Sequence, residues 1–149
     1  MIRGSFAAAH ENHRNNRLLW MPMIRVSLSD AVNVNAQHIV EYDVSALIDT
    51  AADYCVIDRD MIDRHKTFVG RGTGFSLGPT GFSTNEFYSV QVVLNNEVNN
   101  VALQMSCPAA DLRRTGYLVD LILGMDALRF FELSLLPREG RVTMSWIET

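Results

Sequence analysis

One carboxylate in this sequence stands where an ordinary surface aspartate would not. Ala46, Leu47 and Ile48 run straight into Asp49, and the small residues Thr50, Ala51 and Ala52 follow it. A lone ionised carboxylate is costly to take out of water, so an aspartate at the margin of a core must be hydrogen-bonded, share a proton, or be protonated. Each of these alters its readiness to take or give a proton, which makes Asp49 a candidate general acid or base. The same residue could instead cap the turn it opens, accepting hydrogen bonds from its neighbours' amides. About seventy residues further on, a second apolar run, Leu121-Ile122-Leu123, leads into Gly124, Met125 and Asp126. Other groups offer less. His10 and His13 are spaced HExH, whereas the metalloprotease pattern HExxH is what sets two imidazoles on one helical face, so neither a metal nor a cofactor is expected. Cys55 and Cys107 lack CxxC spacing and read as buried free thiols, which favours a reducing, cytoplasmic setting over a disulfide bridge.

The elements that must position these residues are short strands. Met23 to Ser29 alternates apolar and polar, the period-2 signature of a half-buried strand. His38 to Ile48 begins mixed and ends apolar, as a strand entering the core does. Asp58 is placed to cap a short helix over Arg59 to His65. Phe68 to Phe82 contains five of the nine glycines and reads as a mobile loop or hairpin turn. Phe87 to Leu94, Val98 to Met105, Leu118 to Gly124 and Val142 to Ile147 read as further strands. Met125, Leu128, Phe130, Phe131 and Leu133 suggest a helix leading into Leu135. Residues 1–20, polar and without periodicity, are expected to form a flexible leader, and residues 21–149 a single domain. The fold class is mainly β, closed or sandwiched.

Composition excludes several classes of function. The chain has 149 residues and a formal net charge of −4, with its 13 basic residues scattered. That balance does not supply the clustered positive charge needed to neutralise nucleic-acid phosphates or to bind an anionic membrane surface. No apolar run approaches the 18 or so residues of a membrane helix, and the first nine residues are too short in apolar content for a signal peptide.

Together, Leu47-Ile48-Asp49-Thr50-Ala51-Ala52 and Asp120-Leu121-Ile122-Leu123-Gly124-Met125-Asp126-Ala127-Leu128 resemble the signature of the retropepsin-like aspartic proteases. In that family an apolar strand ends in Asp-Thr/Ser-Gly-Ala/Ser, and a late Ile-Leu-Gly opens a short helix. The likeness extends through Phe130 to Leu135 and Gly140-Arg141-Val142, covering roughly Val44 to Val142. It implies a single-lobe acid-protease fold, barrel-like, with one or two short helices and a flap hairpin. It also implies a peptide or protein substrate and a homodimer. Peptide hydrolysis without a metal or covalent nucleophile needs one group to take a proton from water while another gives one to the substrate. Two carboxylates sharing a proton do both, and a chain with one Asp-Thr motif must find its second carboxylate in another copy.

On this resemblance Asp49 is catalytic, and Thr50, Ala51, Ala52 and Gly124 support its loop. Asp53 would bind substrate backbone, and Val56 would line a side-chain subsite. Gly78, Thr80, Gly81 and Phe82 would lie at the tip of the flap, with Phe75 to Leu77 and Phe87 to Val93 in its arms. Gly124 is the residue that would let a strand pass beneath the catalytic loop. One position departs from the pattern, since Ala51 stands where the family has glycine. A methyl group there would strain the loop if its backbone angles disfavour alanine, so Ala51→Gly is expected to raise turnover or leave it unchanged. The alternative reading is a weak or inactive protease-like domain kept for dimerisation or peptide binding.

Overall fold

The alternation from Met23 to Ser29 falls inside a longer strand, one of ten in a computed structural model that describes residues 1–12, 14–31, 40–78, 81–95 and 98–147. Of residues 71, 75–78 and 81–84 it describes the backbone. His13, His38 and Ile39 lie outside the described residues. In chain order the strands are β1 (Ile2–Asn12), β2 (Arg17–Asp30), β3 (Tyr42–Ile48), β4 (Val56–Asp58), β5 (Gly70–Gly78) and β6 (Gly81–Asn95). Then come β7 (Asn100–Ala110), β8 (Leu121–Leu123), β9 (Phe131–Leu136) and β10 (Arg141–Trp146). Helix α1 (Arg59–Arg64) follows β4, and α2 (Met125–Leu128) follows β8. The class is mainly β.

Strand order gives β6-β7-β4-β8-β3-β2, and β2 pairs back onto β6 through Ser27↔Val93 to Asp30↔Val90, so six strands close into a barrel. Val26, Leu28, Ile57, Val90, Val92, Leu121 and Leu123 are all buried in its main apolar cluster. The run Ala46-Leu47-Ile48 is apolar throughout because β3 is covered on both faces. Ala46 and Ile48 face the main cluster, while Leu47 joins Ile122, Ala9, Leu112 and Val119 in a second one outside the barrel.

Within residues 1–20, expected as a leader, Ile2–Asn12 form β1 and Arg17 opens β2. β1 lies between β2 and β10, with Ile2↔Met144 on one side and Ser5↔Met23 on the other. Backbone amides pair whatever side chains they carry, and the burial of Ile2 and Ala9 supplies apolar anchorage, so a polar tract without periodicity becomes a strand. A second difference is the extent of the helix after Gly124. It ends at Leu128, and Phe131 to Leu136 is a strand paired with β10. Apolar residues at 125, 128 and 131 fit a helical period, but Phe131 and Leu133 also alternate, and pairing with β10 decides between the two.

The expected cap at Asp58 is in place by position only. Its side chain makes no cap bond to α1. Oδ1 instead accepts the Arg113 amide at 3.3 Å, while the buried Oδ2 has no hydrogen-bond partner. Burial raises the Asp58 pKa above its ordinary 3.8, the Arg113 and Leu112 amides oppose this, and the charges of Asp60 and Asp120 add to it. A carboxyl whose pKa rises on folding stabilises the fold below the unfolded value and loses that contribution as pH climbs through the folded one. Asp58→Asn should therefore gain stability relative to wild type as pH is raised from 4 to 7, read from denaturant midpoints. A constant difference across that range would show that Asp58 carries no such burden.

Candidate active site

Strands β3 and β8 run parallel and in register, with Ala46↔Leu121, Leu47↔Ile122 and Ile48↔Leu123. This pairing sets the end of the first apolar run beside the end of the second, and Asp49 and Gly124 leave the barrel at the same level. The Asp49 amide continues the ladder by donating to the Leu123 carbonyl at 3.1 Å. A tight turn follows at once. The Ala52 amide donates to the Asp49 carbonyl at 3.2 Å, and the Ala51 amide donates to Asp49 Oδ1 at 3.0 Å. The turn-capping role open to Asp49 is thus realised, yet its side chain remains only half-buried, with Thr50 and Ala51 exposed beside it. A carboxylate in that position is held by the backbone and still open to water and to another molecule.

Gly124 has an extended backbone that any residue could adopt, so its requirement is for space. A Cβ built there would stand 2.4 Å from the Tyr54 carbonyl oxygen and 2.8 Å from that of Ala52. Both are main-chain atoms of the segment following Asp49, and no rotamer change removes them. Two further bonds fix the approach: the Met125 amide donates to the Ala52 carbonyl at 2.7 Å, and the Asp126 amide to that of Asp53 at 3.1 Å.

Ala51 does not carry the expected strain. Among the described residues Asn16 is the only non-glycine with positive φ, so the Ala51 backbone lies where alanine is at ease. Its methyl group is on an exposed residue. Ala51→Gly should then lower stability by no more than about 1 kcal/mol, through the freer unfolded chain, and relieve nothing. A gain in the denaturation midpoint would contradict this.

The remaining residues suggested by the sequence are spread over two places. Asp53 is exposed and takes part through its carbonyl; Val56 is half-buried in β4 and packs against the cluster of Leu47 and Ile122. The glycine-rich segment forms a hairpin in which β5 pairs β6 from Gly70↔Tyr88 to Gly78↔Gly81. Gly78 and Gly81 are thus register partners at its end, and Phe82 pairs with Leu77. Thr80 lies outside the described residues. Near the barrel the register slips between Gly70 and Gly72, where Gly72 takes φ 137°, a bulge that glycine accommodates without cost to a side chain. From Phe87 to Asn95 β6 pairs with β7, Phe87 and Tyr88 lying between β5 and β7.

Two features lie beyond the sequence reading. Asp126 joins the two motifs, its Oδ1 accepting the Cys55 amide at 3.0 Å and the Cys55 thiol at 3.1 Å. The signal available for it is an acid in the first turn of a helix opened by glycine. The other is a set of exposed apolar side chains on the segments that meet at this turn and just beyond them. Tyr54, Met125, Phe130, Trp146 and Ile147 are all substantially exposed, Phe130 stacks on Trp146 with ring centroids 5.7 Å apart, and the Ile147 amide donates to the Phe130 carbonyl. Cys55 and Cys107 are both buried and free, as the sequence suggests.

Among the described residues, no group of three or more histidines, cysteines or acids is placed to hold a metal ion, and no helix is long and apolar enough to cross a membrane. Comparison with protein-family models and with curated proteins finds no match to this chain.

Proposed function

We propose that this protein is an aspartic endopeptidase of retropepsin-like type, in which Asp49 and its counterpart in a second copy form the catalytic pair. The observation that carries the reading is the junction of two distant motifs, with Asp49 bonded to Leu123 and Gly124 pressed against the chain at Ala52 and Tyr54. Such a junction holds one carboxylate rigidly at a strand end, half-exposed and flanked by the exposed Thr50 and Ala51. One carboxylate of the pair takes a proton from the attacking water while the other protonates the substrate carbonyl, and the roles exchange. Thr50 of each copy fixes the spacing of the two loops. The exposed apolar residues Tyr54, Met125, Phe130, Trp146 and Ile147 suit burial against the second copy, the stacked Phe130 and Trp146 with Ile147 beside them offering the apolar surface that marks contact sites. The hairpin of β5 and β6 serves as the flap, closing over an extended peptide that pairs with backbone and presents alternate side chains to pockets.

The test is cleavage of a diverse peptide mixture between pH 4 and 7 by the wild type and by Asp49→Asn. Cleavage confined to the wild type is the expected result. Identical behaviour of the two proteins would favour a protease-like domain that binds peptide or its own copy without hydrolysis.

A further inference from the structure

Asp126 is not needed to explain why two motifs meet, because backbone bonds already join them, yet one oxygen of its carboxyl group reaches across this junction. Oδ1 accepts the Cys55 amide at 3.0 Å, the Cys55 thiol at 3.1 Å and the Ala127 amide at 2.9 Å. Cys55 is fully buried, so its amide has no water to replace that acceptor. The segment from Asp49 to Cys55 is therefore fastened at both ends to the same short stretch of chain. At its start Asp49 bonds to Leu123, and at its exit Cys55 bonds to Asp126, with Ala52 and Asp53 bonded between them.

We propose that Asp126 is a positioning residue for Asp49, its carboxyl acting as the clamp that closes the loop behind the catalytic turn. The inference rests on the proposed peptidase reading for its effect on rate, but the clamp itself has a readout that does not. Cys107 is the internal reference. β4 and β7 are parallel with Ile57↔Ala109, which sets Cys55 beside Cys107 two residues earlier, and both thiols are buried. The Cys107 thiol is held well above its ordinary pKa by its hydrogen bond with Cys55, by burial, and by the nearby charges of Cys55 and Asp126. A neutral, enclosed thiol reacts only when the structure opens. Global unfolding exposes both cysteines together, whereas release of the clamp frees Cys55 first.

The experiment is native-state labelling with a thiol reagent such as iodoacetamide, with each cysteine quantified by peptide mass spectrometry, on wild type, Asp126→Ala and Asp126→Asn. Asparagine retains an oxygen for the Cys55 amide and thiol, and alanine does not. In Asp126→Ala, Cys55 should label roughly tenfold or more faster than Cys107, while wild type and Asp126→Asn label both slowly and alike. On a cleaved peptide, Asp126→Ala should lose about 10- to 100-fold in kcat with KM little changed, and Asp126→Asn should recover most of it. Equal labelling of the two cysteines in Asp126→Ala, or no rescue by asparagine, would overturn the proposal. Selective labelling in a protein that cleaves no peptide would uphold the clamp and count against the peptidase reading alone.

Discussion

Asp49→Asn should abolish peptide cleavage while leaving the fold in place. Asparagine can still offer an oxygen to the Ala51 amide, now 3.0 Å from Asp49 Oδ1, so the turn survives the change. What it cannot do is accept a proton from water or hand one to a carbonyl. Proton transfer by a positioned side chain contributes on the order of 10²- to 10⁴-fold, and in a shared pair the substitution removes both partners at once. A mixing experiment separates this from a site contained within one chain. If subunits exchange and variant is present in ninefold excess, random pairing leaves roughly a tenth of wild-type chains facing another wild-type chain. Activity per wild-type chain should fall to about that fraction. Activity per wild-type chain that ignores the excess variant would rule out a carboxylate pair assembled across two copies.

Gly124→Ala should be the most damaging single methyl group that can be added to the junction. Overpacking a filled site costs about 1–3 kcal/mol, and more where the neighbours cannot yield. Here they cannot, because the Ala52 carbonyl is held at 2.7 Å by the Met125 amide and the Tyr54 carbonyl precedes the fully buried Cys55. A loss of about 3 kcal/mol or more is expected in urea denaturation. Gly140→Ala provides the comparison. Gly140 lies in the left-handed region at φ 63°, and a Cβ added there would meet nothing within 4 Å, so only backbone strain of about 1 kcal/mol is expected. Equal losses in the two variants would mean that the close passage at Gly124 is not what makes glycine necessary.

How each element is stabilised decides whether the sequence reveals it. β2, β3 and β8 are visible because their side chains do the anchoring: Val26 and Leu28 alternate with polar neighbours, and Leu47 and Ile122 mark strands covered twice. The meeting of Asp49 with Gly124 is legible only through two apolar runs that each end in small residues, and those small residues are what permits the main-chain atoms to approach. β1 is not legible, because His10, Glu11 and Asn12 carry no alternation and their order comes from pairing with β2 on one side and, at His10, an isolated bridge to Tyr117 on the other. β5 reads as a loop or turn for a related reason, since glycine has little strand preference and the hairpin relies on the facing residues of β6. Asp126 escapes notice because its role depends on a cysteine seventy-one residues away. No local pattern announces such a bond. Ala51 teaches the opposite lesson, for a methyl group that would strain the turn at unfavourable backbone angles is accommodated by ordinary ones.

The placement of β1 between β2 and β10 also governs how the molecule can be made. Ile2 pairs with Met144, so one flank of β1 stays open until β10, far along the sequence, has been synthesised. Pairings separated by so much sequence are closed late and slowly, and an edge left bare meanwhile invites the wrong neighbour. Completion of the sheet beyond the barrel therefore waits on β10, and a chaperone that shields the nascent β1 and β2 hairpin would raise the yield of native protein more than one acting after synthesis.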